Sequence, residues 1–101
     1  MRMLIDFYLP IEPFNTYVRD GSAGDRIAKI MDDLKPEAVY FTEQDGKRGG
    51  VMIIDVASPS DVPRIAEPFF LTFNADVRFH VCMTPDDLAK AGLDDLGDKW
   101  G

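Results

Sequence analysis

The apolar and polar positions along the chain divide it into alternating extended and helical stretches. Arg2 to Leu9 (RMLIDFYL) is rich in branched and aromatic residues and stops at Pro10, so it predicts a strand. Pro10 and Pro13 then punctuate a short turn. From Phe14 to Leu34 the apolar residues Phe14, Tyr17, Val18, Ile27, Ile30, Met31 and Leu34 recur at helical spacing. Gly21 and Gly24 interrupt that helix, each at a cost of about 1 kcal/mol against alanine. Either the helix kinks there, or the small residues admit another backbone or a ligand. Pro36 ends it.

Glu37 to Gln44 (EAVYFTEQ) predicts the second strand, and Asp45-Gly46 is a strong hairpin signal. Gly49-Gly50 leads into a third strand, Val51 to Val56, whose run VMIIDV suits the middle of a sheet. Lys47 and Arg48 are then expected as solvated charges in the hairpin loop. Ser58-Pro59-Ser60-Asp61 signals a helix start with Ser60 as N-cap, and Val62, Ile65, Ala66, Phe69 and Phe73 follow at helical spacing. Pro68 inside that pattern predicts a bent or divided helix. Phe69-Phe70-Leu71 is expected in the core. Ala75 to Met83 alternates, with Val77, Phe79, Val81 and Met83 on one side and Asp76, Arg78, His80 and Cys82 on the other, as in a fourth strand. Thr84-Pro85-Asp86-Asp87 opens a short helix that Gly92 closes. A tail with Leu93, Leu96 and Trp100 among acids and glycines follows, and is expected to lie as an arm across a partner subunit.

The order is therefore β-α-β-β-α-β, an α+β domain over residues 1–83, with 84–101 a C-terminal helix and tail of the same domain. A length of 101 residues leaves no room for a second domain. This split βαβ pattern implies an antiparallel sheet in the order 4-1-3-2, with both helices on one face. The opposite face would expose Leu4, Tyr8, Tyr40, Val51 and Ile53. That patch is too apolar for a monomer, so a second copy packing sheet against sheet is the simplest cover.

Charge and cysteine content narrow the partners. The net charge of −7 argues against nucleic acid, because phosphate binding needs clustered Lys and Arg. One cysteine, Cys82, excludes an internal disulfide. The first nine residues read as a strand, not a leader, and no apolar run is long enough to span a membrane. The expected setting is cytoplasmic.

The element order and the apolar open face resemble the dimeric α+β barrel superfamily, with its ferredoxin-like fold. That superfamily includes muconolactone isomerases, cofactor-independent monooxygenases and small ligand-binding domains. The resemblance covers residues 2 to 83 and implies a fold more than an activity. PEAVYFTE (Pro36 to Glu43), the glycine-ended hairpin and EPFFLTFNADV (Glu67 to Val77) also resemble a family of short bacterial proteins of unknown function. Some of its members are labelled pantothenate synthetase; this chain has no nucleotide-binding loop or adenylate-forming motif to support that label.

Strand parity supplies one candidate site. If Ile5, Phe7, Val77, Phe79 and Val81 face the helices, then Asp6, Tyr8, Arg78, His80 and Cys82 share the open face. Asp55, Tyr40 and Thr42 join them, and Asp6 is expected to neighbour both Asp55 and the Arg78/His80 pair. A histidine held by a carboxylate is a general base near neutral pH. His80 and Asp6 are thus the candidate catalytic residues. Arg78, Asp55, Tyr8 and Tyr40 are candidate ligand contacts, Arg78 through a carboxylate or developing enolate. No metal site is expected from one histidine and one thiol, and no cofactor. Cys82 reads as a small, partly buried residue. Gly21 and Gly24 match no phosphate-binding fingerprint.

Two functional classes follow. In one, a homodimer holds a small anionic or aromatic molecule between sheet and helices and acts on it by acid–base chemistry, as an isomerase or monooxygenase would. In the other, the chain is a non-catalytic binding or interaction domain. Its acids then only pair an arginine and a histidine at a dimer interface, because buried charges must be paired.

Overall fold

The computed structural model describes all 101 residues. Four strands, β1 (Arg2–Leu9), β2 (Ala38–Gln44), β3 (Lys47–Asp55) and β4 (Asp76–Val81), form one antiparallel sheet in the order β2-β3-β1-β4. This is the expected 4-1-3-2 order. The period of two decides which side is buried. On β1, Met3, Ile5, Phe7 and Leu9 are buried, while Leu4, Asp6 and Tyr8 are only half-buried.

Three helices cover the buried face: α1 (Ile11–Asp20), α2 (Ala23–Leu34) and α3 (Asp61–Phe73). The single interrupted helix expected over Phe14–Leu34 is in fact two. Gly21 adopts φ 82°, and the amides of Gly21 and Ser22 close the last turn of α1 on Val18 and Tyr17. Gly24 lies in the first turn of α2 and faces open space, so neither glycine admits a neighbouring backbone. Rings bind the layers together. Phe7 stacks on Phe69 at 4.9 Å and Phe14 on Phe73 at 5.4 Å, both well within the range of favourable aromatic pairs. The Tyr17 hydroxyl donates to the Thr72 carbonyl at 2.9 Å, fastening α1 to α3.

Several local expectations are corrected. Asp45 and Gly46 form a two-residue turn, both with positive φ, so pairing resumes at once with Gln44 opposite Lys47. β3 therefore starts at Lys47 rather than Val51, and Lys47 and Arg48 are strand residues. Helix α3 runs unbroken through Pro68. Ser60 occupies its N-cap position without a capping bond; instead the Asp61 carboxylate accepts from the Ala57 and Ser58 amides at 3.1 and 3.3 Å. Only Phe69 of the Phe69-Phe70-Leu71 run is core. The buried positions are Ile65, Ala66, Phe69 and Phe73, and that stripe leaves Phe70 and Leu71 exposed.

Beyond β4 the chain leaves the body. Thr84 and Asp87 form a reciprocal capping box that starts α4 (Pro85–Lys90). Gly92, in the left-handed region, turns the chain into a further helix, α5 (Leu93–Trp100), where only a tail was expected. Neither helix buries a residue; Leu88, Leu93, Leu96 and Trp100 all stay exposed. The result is elongated, 60 × 28 × 20 Å, with a radius of gyration of 17.2 Å. A compact chain of this length would have about 13 Å. No helix is long and apolar enough to cross a membrane.

Candidate functional site

With every helix of the body on one side, the other face of the sheet is open. Cross-strand register arranges it in rows. Tyr40, Val51, Asp6 and Arg78 line up from β2 across to β4, and the next row runs Ala38, Ile53, Leu4 and His80. The apolar side chains thus gather over β3 and β1, and the ionisable ones over β1 and β4.

The polar contacts are diagonal, between neighbouring rows, where long side chains on adjacent strands reach one another. His80 Nε2 lies 3.0 Å from Asp6 Oδ2. Arg78 Nη1 donates to the Tyr8 hydroxyl at 3.3 Å, and its guanidinium sits 4.3 Å from the centre of the Tyr8 ring. The sheet therefore brings together Asp6, Tyr8, Arg78 and His80 as two adjoining pairs. Asp6 is the more sheltered partner, its side chain 21% exposed against 54% for His80. Tyr40 shares the row of Asp6 but stands two strands away, about 10 Å across the sheet, and is largely exposed.

Asp55 does not join them. It pairs with Arg2 in the β1–β3 register, four residues from Asp6, or about 13 Å along the strand. Its carboxylate binds the N-terminal ammonium at 2.8 Å. That hydrogen bond and charge hold the Asp55 carboxyl below the usual carboxylate range. The expectation that Asp6 neighbours Asp55 placed both on the right face but overlooked the register, which slides Asp55 to the far end.

The arrangement has a definite chemistry. One imidazole nitrogen is held by a carboxylate, which orients the ring and leaves the other nitrogen free to take or give a proton. Arg78 offers a planar cation beside it, suited to a carboxylate or an enolate oxygen. No group of three His, Cys, Asp or Glu side chains is placed to share a metal ion.

No cleft of the single chain is lined by Asp6 or His80. One, about 610 Å³, opens on the helix side at the hairpin end, between Phe14, Ile27, Phe41 and Arg48. A second, about 560 Å³, separates α2 from α3 and is lined by Arg26, Lys29, Asp32 and Leu71. The space between sheet and helices and the Asp6–His80 pair are therefore on opposite sides of the sheet. Lys47 and Arg48 were read as loop charges; the two-residue length of the Asp45-Gly46 turn was the signal that they belong to a strand.

No family model and no curated protein sequence matches the chain, so neither the family of short bacterial proteins nor the pantothenate-synthetase label gains support. Among solved structures, it is similar to the 5-chloro-2-hydroxyhydroquinone dehydrochlorinase of Burkholderia phenoliruptrix, in complex with 2,5-dihydroxybenzoquinone. The TM-score is 0.59 at 16% identity, over 85% of this chain and 97% of that one. A designed protein, Ferredog-Diesel, overlaps more loosely, with a TM-score of 0.45 at 13% identity over 80% of this chain and 85% of the other. At these identities the likeness concerns the fold alone: the chain is a ferredoxin-like α+β domain.

Proposed function

We propose that the chain works as a homodimer in which two open sheet faces meet and enclose a small organic ligand beside the Asp6–His80 pair. The pair acts on that ligand by acid–base chemistry, without a cofactor. One observation carries this reading: a carboxylate-held histidine and an arginine stand together beside the apolar patch of Leu4, Val51 and Ile53 on a face that no helix covers. An exposed apolar sheet face of this extent calls for a partner, and closing it would exclude water from the pair. A solved protein of the same fold holds 2,5-dihydroxybenzoquinone, so a domain of this architecture can take a small organic molecule. In the dimer, residues 84–101 serve as an arm whose exposed leucines and Trp100 lie on the partner copy.

A second reading has its own support. Asp6 and His80 already pair with each other, Arg78 rests on Tyr8, and no cleft of the single chain is lined by Asp6 or His80. The polar face then joins two subunits of a non-catalytic binding domain. The two readings separate on one experiment. Native mass spectrometry of the purified dimer is expected to show a retained small molecule, and His80→Ala, kept at a concentration high enough to hold the weakened dimer together, is expected to lose it. A dimer with no bound molecule in either form would leave the seam alone standing, and a monomer at micromolar concentration would remove both.

A further inference from the structure

The cleft at the hairpin end has a composition that the open face does not share. Its apolar wall is made by Leu9 at the end of β1, Phe14 of α1, Ile27 of α2 and Phe41 of β2. Phe41 is 54% exposed although it faces the helix side, because no helix extends over the edge strand. Its ring meets Phe7 edge-on at 5.8 Å across Gly50, which stands between them in the register. A Cβ at Gly50 would meet the Phe7 ring at 2.5 Å, so the glycine is what lets Phe41, on the cleft wall, pack on buried Phe7.

At the rim stand Lys47 and Arg48. The Arg48 guanidinium lies 4.6 Å from the centre of the Phe14 ring, and neither cation is within ion-pair distance of a carboxylate. Glu43 is the cross-strand partner of Arg48, yet its carboxylate is engaged by the Gly46 amide at 2.7 Å, inside the turn. Glu43 also lines the cleft, but with one oxygen held in the turn it makes no ion pair with Arg48. Arginine stacked on an aromatic face keeps its N–H edge free, in the geometry that grips a carboxylate with two hydrogen bonds. In a chain of net charge −7, an arginine without an ion pair beside exposed aromatic rings is a selective feature.

We infer that this cleft is a binding site for a planar aromatic carboxylate, its ring against Phe14 and Phe41 and its carboxylate on Arg48. The volume of about 610 Å³ is in the range of small-molecule sites. The site lies across the sheet from the Asp6–His80 pair and does not depend on the reading given for that pair. It turns the general expectation of an anionic or aromatic ligand between sheet and helices into a named set of contacts.

The test is a titration of the full-length protein with benzoate, followed by amide chemical shifts, with benzyl alcohol and acetate as controls. Benzoate is expected to give saturable shifts centred on Phe41, Gly46 and Gly49, and to bind at least tenfold tighter than either control. Arg48→Met is expected to weaken benzoate at least tenfold and leave benzyl alcohol unchanged. Arg48→Lys, which keeps the charge and loses the fork, should fall between, and serves if the methionine variant does not fold. Equal binding of acetate would mean a charge-only contact, and equal binding of benzyl alcohol an apolar cleft only; either overturns the assignment. So would an unchanged benzoate affinity in both Arg48 variants, or shifts at Phe41 that follow protein concentration without ligand.

Discussion

Removing one partner of the Asp6–His80 pair tests whether the open face is closed by a second copy. In a single chain the pair is partly solvated, with His80 54% exposed. Such an exposed pair contributes about 0.2–1 kcal/mol. Asp6→Asn or His80→Gln should then barely move the unfolding midpoint of the monomer. If two sheet faces enclose the pair, the same change leaves a desolvated group without its counterpart, at a cost of about 2 kcal/mol or more. A two-fold dimer contains the pair twice, so the loss is about 4 kcal/mol, or roughly a thousandfold in the dimer dissociation constant. Sedimentation equilibrium of the wild type, both single variants and the double variant completes a double-mutant cycle. The expected result is a strongly weakened dimer in each single variant and partial recovery in the double. A dimer as tight in all four proteins would refute the placement of the pair in the interface.

Glycine substitutions should act in opposite directions. Gly50→Ala places a methyl 2.5 Å from both the Phe7 ring and the Tyr40 carbonyl oxygen, and overpacking of this kind costs about 1–3 kcal/mol in urea unfolding. Gly24→Ala meets open space in a helix and should stabilise by up to about 1 kcal/mol; an equal effect at both positions would contradict the packing described. The Asp61 carboxyl is held below its usual range by the Ser58 and Ala57 amides at the start of α3. Its contribution is therefore complete above about pH 4 and is lost as pH falls through the lowered value. Asp61→Asn should melt lower than wild type at neutral pH, with the two curves converging in acid; parallel curves down to pH 2 would exclude the linkage. Ending the chain after Gly92 should leave the melting of the body unchanged, since α5 buries nothing, and should weaken the dimer. An equally tight truncated dimer would rule out α5 as an arm.

Much of the fold was legible because one-dimensional periodicity decides which side of an element meets apolar neighbours. The alternation through Ile5, Phe7, Val77 and Phe79 puts Asp6, Tyr8, Arg78 and His80 on one face, and the four do lie together. Turn chemistry was legible where a dipeptide dictates backbone angles, as Asp45-Gly46 does. Helix signals near Gly21, Ser60 and Pro68 were less decisive. There the outcome depended on competing hydrogen bonds, such as those by which Asp61 holds the Ala57 and Ser58 amides of the preceding loop while Ser60 makes no capping bond.

What the chain by itself determined is parity: the β-α-β-β-α-β order, the buried stripe, and an open face bearing one histidine among acids. Register and reach belonged to the tertiary structure. Asp55 shares the parity of Asp6 yet sits at the other end of the sheet, because the β1–β3 register puts Arg2, not Asp6, opposite it. Arg48 shares no motif with Phe14, and only the packing of α1 beside the hairpin brings its charge over that ring. Parity is a property of each strand alone; which groups meet depends on how strands slide and helices cover them, and that is settled only when the whole domain closes.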